Sequence, residues 1–537
     1  MATAPASLGA RDAPPSAPAA PARASAFAPL QGSERALGTL VLSLATFMNV
    51  LDTSIANVSI PAIAGDLAVS PNQGTWVITS FAVANAIAVP LTGWLTQRFG
   101  QVRLFTASVV LFVLASWLCG MAPNIESLIA FRVLQGAVAG PLIPLSQTLL
   151  LASYPQAMAG TAMALWAMTT LVAPVVGPLL GGWITDNFAW PWIFYINVPV
   201  GLFAALFTWQ IYGKRETPRR RVPVDALGLV LIVLWIGAFQ IMIDKGKELD
   251  WFGSAQIVTL AVIAVVGFLY FVVWEMTDAH PIVNLRLFAQ RNFLVGTVAL
   301  SVGYGLFFGN VVLLPLWLQQ WMGYTATWSG LVLAPVGLLA IAFSPWVGKN
   351  VARVDPRLLA TVAFAGFALV LWMRSNFNTN ATVWVILIPT ILQGAAMAFF
   401  FIPLQAIVFS GLPPEQLPSA SGMSNFVRIT AGAFGTSIFT TLWDSRASLH
   451  HAQLTESLHR GNDAALQALS RLGASGLSPE QAQAVLNRLV DQQAYTMAAT
   501  DLFYLSALLF LGLIGLVWLA QPRAGAGAAA ADAGGAH

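Results

Sequence analysis

Long apolar stretches joined by short polar segments make up most of the chain. Windows of about 20 mostly apolar residues, the length a helix needs to cross the hydrocarbon core of a bilayer, lie near 36–61, 75–96, 103–122, 127–152, 160–185, 192–212, 226–244, 255–276, 292–320, 327–348, 357–374, 382–410, 418–443 and 497–520. The pattern predicts an all-α membrane protein with fourteen transmembrane helices. An even number places both chain ends on one side of the membrane. The short joints on that side hold 12 Lys or Arg, among them Lys214, Arg215, Arg219, Arg220 and Arg221, against Lys245, Lys247 and Arg374 on the other. Basic residues collect in cytoplasmic loops, so both termini are expected in the cytoplasm.

The windows also repeat. "LQGA" begins at Leu134 and again at Leu392, "IPL" at Ile143 and Ile402, and the pair Trp76 and Trp94 is echoed by Trp328 and Trp346. The offsets, 252 to 259 residues, match the first six windows to the last six and leave the seventh and eighth as an insertion. Repeats running in the same sense predict two six-helix bundles about an axis along the membrane normal, with a cavity between them. The expected organisation is therefore a disordered cytoplasmic tail over 1–35, a six-helix bundle over 36–213 and a linker with two inserted helices over 214–291. A second bundle follows over 292–521, with a periplasmic loop at 444–496, and a tail at 522–537.

Composition supports this reading: 57% of the 537 residues are hydrophobic and 9% charged, and the mean hydropathy is +0.73, outside the range of soluble domains. A net charge of +3 over this length gives no reason to expect nucleic acid. Cys119, the single cysteine, excludes an internal disulfide and reads as a small packing residue. The 1–35 segment lacks the apolar core of a cleavable signal. In the long outer segment, Ser478, Pro479 and Gln481 form a capping box for a helix that could run on into the last span. His450, His451 and His459 lie nearby without carboxylates at a metal-ligand spacing, so no metal is expected.

Ionisable residues deep inside the windows are few: Asp52, Arg132 and Arg428. A charge at mid-bilayer costs several kcal/mol unless it is paired or hydrated, so each is a functional candidate. Asp52 precedes the outer end of its window by about 13 Å of helix, and Arg132 follows the outer end of its own by about 9 Å. At similar depths the two can meet, directly or through water, either as a proton-exchanging acid with a cation that favours its ionised form or as an ion pair that only joins two helices. The repeat aligns Asp52 with Asn310, its uncharged isostere, so one half alone keeps the acid. That asymmetry points to proton traffic. "APVVGPLLGG" places Pro174, Gly177, Pro178, Gly181 and Gly182 in the fifth window, a pattern for close helix approach and kinking, and for a seal where the two halves meet. No GxxxxGK[ST], HExxH or DDxxD string occurs, so neither ATP nor a metal or prenyl-type enzyme chemistry is indicated.

"LDTSIANVSIP", "RVLQGAVAGP" from Arg132, "APVVGPLLGG" and "WPWIFYINVPVG" from Trp190 resemble the motifs of the fourteen-helix drug:proton antiporters of the major facilitator superfamily, and the likeness runs from about Ala36 to Gln521. "GWLTQRFGQVR" keeps that family's Gly93, Arg98, Gly100 and Arg103 but has Gln97 in place of an acid and Gln101 and Val102 in place of basic residues, which puts a charge switch in that loop in doubt. "AGPLIPLSQTLLL", "QIMIDKGKELDWF" and "SLHHAQLTES" are similar to the inner-membrane pumps of tripartite multidrug exporters. The resemblance implies proton-driven export of hydrophobic compounds by alternating access from a bacterial inner membrane, with protons as the coupling ion and no cofactor. Asp52 would exchange the proton, Arg132 would tune it, and the fifth window would govern which face opens. Arg428, Asn310 and Gln135 are candidates for substrate binding or coupling, Arg428 as an anchor for an anionic group or as a structural hydrogen-bond donor. Aromatic residues such as Phe307, Phe308 and Phe401 either line a pocket or pack between helices. The implied partners are the lipid bilayer, a periplasmic adaptor protein and, through it, an outer-membrane channel. The outer segment would dock the adaptor or pack on the pump's own rim. Export of one endogenous metabolite, a sensor without flux, and a membrane enzyme that consumes its ligand stand as alternatives.

Overall fold

The computed structural model describes residues 28–521, except 70, 75, 156–157, 220–222, 224, 247–248, 279–280, 414–415 and 458–462. Among these residues the fold is all-helical, without a strand. In the first half of the chain come α1 (Gly32–Asp66), α2 (Pro71–Gly74), α3 (Trp76–Ala88), α4 (Thr92–Phe99), α5 (Gln101–Gly120), α6 (Ile125–Ala139), α7 (Leu142–Ser153), α8 (Ala159–Asn187), α9 (Trp192–Tyr195) and α10 (Asn197–Tyr212). The insertion forms α11 (Ala226–Gly246) and α12 (Ala255–Thr277). The second half supplies α13 (Arg291–Gln320), α14 (Ala326–Leu333), α15 (Val336–Asn350), α16 (Pro356–Arg374), α17 (Val383–Val408), α18 (Leu417–Ser457), α19 (Asp463–Ala474) and α20 (Pro479–Val517).

Every apolar window is helical, and several are broken where a proline removes a backbone donor. Pro90 lies between α3 and α4, which meet at 62°; Pro141 separates α6 from α7, and Pro335 separates α14 from α15. By length and hydropathy 11 helical segments among the described residues can cross a membrane, or 12 with the bent pair α3 and α4 as one span. α8 and α18 fill the windows at 160–185 and 418–443 but fall outside that count.

The two halves share several pairings. α1 packs on α8 and α10, as α13 packs on α18 and α20; α5 packs on α10, as α16 packs on α20. The inserted α11 packs on α12 and leans on α3. The halves touch through Gln147 of α7, whose Oε1 accepts hydrogen bonds from Ser421 Oγ at 2.6 Å and Asn425 Nδ2 at 3.2 Å on α18. Gly93 of α4 lies against Ser419, Gly160 of α8 against Gly348 of α15, and Leu179 of α8 against Gly330 of α14. These glycines sit where a Cβ would collide with the opposite half.

The segment expected as a loop is largely helical. α18, with 41 residues, and α20, with 39, are each about 60 Å long, twice the hydrocarbon thickness. Their outer parts run side by side, tied by Trp443 Nε1 donating to Tyr495 O at 2.8 Å and by His451 Nδ1 with Asp491 Oδ1 at 2.8 Å. His450 Nε2 pairs with Asp501 at 2.9 Å. The two histidines thus have carboxylate partners, which come from the neighbouring helix and were invisible as sequence spacing. His459 lies outside the described residues. The capping box at Ser478 and Gln481 forms, and the helix it starts continues unbroken into the last span. In the first turns of α20, Ala482 is buried, while Val485 and Leu489 are exposed.

Candidate functional site

Asp52 lies in the middle of α1 with no solvent exposure, held by side chains from α6 and α10. α6 is capped by Asn124, whose side chain accepts from Ser127 N at 2.9 Å, and along the helix Arg132 and Gln135, three residues apart, face α1 together. Arg132 Nη1 donates to Asp52 Oδ2 at 2.5 Å and to Gln135 Oε1 at 2.6 Å. Gln135 Nε2 donates to Asp52 Oδ1 at 3.0 Å and to Ser116 Oγ of α5 at 2.7 Å. Asn197, the first residue of α10, donates through Nδ2 to Asp52 Oδ1 at 2.9 Å. Arg132 Nε reaches Val77 O at 2.8 Å, and its guanidinium lies 4.3 Å from the Phe81 ring centroid. None of Asp52, Arg132, Gln135, Ser116 and Asn197 is more than 2% exposed.

The chemistry of this cluster follows from its donor and acceptor inventory. Both carboxylate oxygens of Asp52 accept, and all three partners present N–H groups, so the arrangement fits the ionised acid. A protonated Asp52 must donate one hydrogen bond. No partner faces it with an acceptor, so taking up a proton requires Gln135 or Asn197 to turn or Arg132 to withdraw. Cys119 packs beside the cluster with Sγ 3.6 Å from Gln135 Oε1.

The second half carries a counterpart without an acid. Asn310, 258 residues after Asp52, is buried in α13, where its Nδ2 donates to Leu306 O at 2.6 Å and to Ser506 Oγ of α20 at 3.1 Å. Gln393 and Thr390 stand at the same offset from Gln135 and Arg132. Both accept from Arg374 Nη2, at 2.6 Å and 3.3 Å. Arg374, assigned to a loop by the hydropathy pattern, is therefore a buried residue of the last turn of α16, 1% exposed, and does not belong to the loop charge count. Lys245 likewise is buried, with its ammonium 5.2 Å from the Trp76 ring.

The remaining expected residues are distributed as follows. Arg428 of α18 is buried in the second half, away from Asp52, and donates through Nη2 to Asn425 Oδ1 at 2.8 Å. Gly177 and Gly181 do not lie on the boundary between halves. They face α1 within the first half, where a Cβ would sit 2.6 Å from Ser54 and 2.8 Å from Ile55, next to Asp52. α8 meets the second half instead through Gly160 and Leu179. Gly182 is half-buried, and the side chains of Pro174 and Pro178 lie outside the described residues, within a helical backbone.

At the α4–α5 corner, Gly100 takes a φ of +89°, open to glycine, and Glu216 fills the space that a Cβ would need. Glu216 accepts from Val102 N at 3.1 Å and Arg103 N at 2.9 Å and so caps α5. It brings a carboxylate to this corner from the joint after α10. Arg98 lies over the Trp94 ring at 5.5 Å. Among the described residues no group of three His, Cys, Asp or Glu could hold a metal ion.

Sequence reasoning missed Ser116, Asn197, Glu216 and Arg374. Asn197 carried a usable signal, an amide inside an apolar window; Ser116 carried none, since a small hydroxyl in a span packs like alanine.

Comparison with known proteins places the fold. The profile of the Major Facilitator Superfamily matches residues 42–436. The chain is 50% identical to the multidrug export protein EmrB of Escherichia coli K12, over 95% of this chain and 99% of that protein. It is 48% identical to the fatty acid resistance protein FarB of Neisseria gonorrhoeae, over 92% of this chain and 98% of that one. The solved structure of the proton:xylose symporter XylE superposes with a TM-score of 0.56 at 15% identity, covering 91% of this chain and 99% of XylE. The chain belongs to the Major Facilitator Superfamily of membrane transporters.

Proposed function

We propose that the protein is a proton-driven exporter of hydrophobic, structurally varied toxic compounds that works by alternating access. The observation that carries this reading is the buried Asp52, an acid whose three partners all face it with N–H donors. Such a group cannot take a proton without moving Arg132, Gln135 or Asn197, and those residues belong to α6 and α10. Gly177 and Gly181 seat α8 on α1 directly after Asp52, so a shift of α1 is passed to α8, which meets the second half at Gly160 and Leu179. Protonation and opening are thereby linked. The export activity in the names of the relatives, multidrug export and fatty acid resistance, supports the cargo class.

Fourteen spans with cytoplasmic termini in an inner membrane complete the proposal. They put the α18–α20 arm in the periplasm, where it would dock an adaptor protein leading to an outer-membrane channel. Purified protein in vesicles with an imposed pH gradient, tested on a panel of hydrophobic cations, weak acids and neutral compounds, should accumulate several of them uphill and lose that accumulation on adding a protonophore. Accumulation indifferent to the protonophore, or ligand binding without flux, would refute the transport reading. Replacing residues 446–494 by a short flexible linker should leave vesicle transport measurable and abolish adaptor pull-down; a retained pull-down would refute the docking role.

A further inference from the structure

α18 carries a buried cation that the Asp52 cluster does not use. Arg428 is 2% exposed, and its hydrogen-bonded partners are neutral, the amide of Asn425 at 2.8 Å and the hydroxyl of Tyr304. Its Nε is buried without an acceptor. Aromatic faces occupy two of its sides, with the guanidinium carbon 4.4 Å from the Tyr304 ring centroid and 5.8 Å from that of Phe401. No described carboxylate pairs with it. A buried guanidinium held this way keeps N–H donors in a planar fork and a positive charge without a counter-ion, the complement of a carboxylate.

The surroundings point the same way. Gln405 lies one turn from Phe401 on the same face of α17, buried, with neither its Oε1 nor its Nε2 bonded. Ser301 lies three residues before Tyr304 on α13, also buried with its hydroxyl unbonded. Polar groups left unpaired in a protein interior are costly unless something fills their hydrogen bonds. Here they cluster by register on the helices that flank the unpaired cation. Asn425, the residue that holds Arg428, also donates to Gln147 of the first half at 3.2 Å, so the group sits on the boundary between halves.

We propose that Arg428 is the subsite for the anionic head of a hydrophobic organic acid, whose apolar body lies against Tyr304 and Phe401. That such an acid is cargo rests on the export reading above; that it binds here does not. Taking up the acid would draw Arg428 away from Asn425 and so disturb the Asn425–Gln147 link across the halves.

The test is equilibrium binding of 1-pyrenebutyrate and its uncharged methyl ester to the purified full-length protein, read by fluorescence with no gradient present. The wild type is expected to prefer the acid, and Arg428→Gln to weaken the acid by about tenfold or more while changing the ester by no more than about twofold, the loss of one charge-assisted contact. Arg428→Lys, which keeps the charge and loses the fork, is expected to keep part of the preference. Equal wild-type affinity for acid and ester would overturn the proposal even if Arg428→Gln failed to fold, and so would an Arg428→Gln variant that binds both as the wild type does or loses both equally. Failure of proton-driven transport in vesicles would strike the export reading and leave this binding result standing.

Discussion

The two halves of the molecule bury a polar cluster at corresponding places, and the clusters differ in kind. Around Asp52 a carboxylate, a guanidinium, two amides and a hydroxyl hydrogen-bond one another. At the corresponding positions of the second half the acid has become an amide, Asn310, bonded to Ser506, and the arginine that bonds Gln393 comes from α16 rather than from the counterpart of α6. The packing of α1 on α8 and α10 and of α5 on α10 nonetheless recurs in the second half as α13 on α18 and α20 and α16 on α20. The scaffold therefore does not need a buried acid at this position, since an amide fills it in the second half. A buried ion pair is weak evidence for stability, because desolvation offsets most of its attraction. What Asp52 adds over Asn310 is the ability to gain and lose a proton.

The largest effects should come from erasing that difference. Asp52→Asn makes the first cluster as neutral at this position as the second, and uphill export is expected to fall to background. Stability should also drop by about 3 kcal/mol, because Arg132 is left buried without its counter-charge. Asp52→Asn combined with Arg132→Met removes both charges and should recover most of that stability without recovering transport, measured by thermal unfolding and vesicle efflux. Recovery of both would make the pair architectural. In the second half, Arg374→Met leaves Gln393 short of one donor and is expected to cost about 1 kcal/mol, with export unchanged.

Glycine contacts sharpen the comparison further. Gly177 seats α8 on Ser54 of α1, and Gly435 seats α18 on the backbone of Gly305 in α13. Gly177→Ala and Gly435→Ala should each destabilise by about 1–3 kcal/mol. Gly435→Ala should cost more, since it meets rigid backbone and Gly177→Ala meets a serine side chain. Export per folded molecule should fall only in Gly177→Ala, which disturbs α1 beside Asp52.

The smallest effect lies at the corresponding corners. α5 borrows Glu216 as its cap, whereas α16 has its own, Asp355, which accepts from Arg357 N at 2.9 Å. The hydrogen bond from the Arg357 side chain holds the Asp355 carboxyl below the usual carboxylate range. A lowered value means that the contribution is present above the ordinary carboxylate range and is lost as pH falls through the lowered one. Asp355→Ala should cost about 0.5–1 kcal/mol at neutral pH and less in acid, by thermal unfolding at both pH values.

Depth along a helix was legible in the sequence, and direction around it was not. Counting residues from the ends of two apolar windows put Asp52 and Arg132 at one level, and the two lie in contact. The same counting placed Arg374 in a loop, because a charged residue at the end of a window looks alike whether it turns outward to water or inward to Gln393. Gly177 and Gly181 showed that α8 is approached closely, but not that the neighbour is α1 rather than the opposite half. The outer segment announced its helix start at Ser478, while the histidine–carboxylate pairs that tie α18 to α20 join residues 40 and 51 positions apart. Such pairs are set by tertiary packing, which local pattern does not encode.

The central claim is that the proton moves on Asp52. It is tested most directly by imposing a gradient of a transported compound across vesicles of purified protein and following proton counter-movement with a trapped pH dye. The account predicts that the wild type moves protons against the flow of compound and that Asp52→Asn, inserted and still binding the compound, moves none. Proton counter-movement of wild-type size in Asp52→Asn would contradict it.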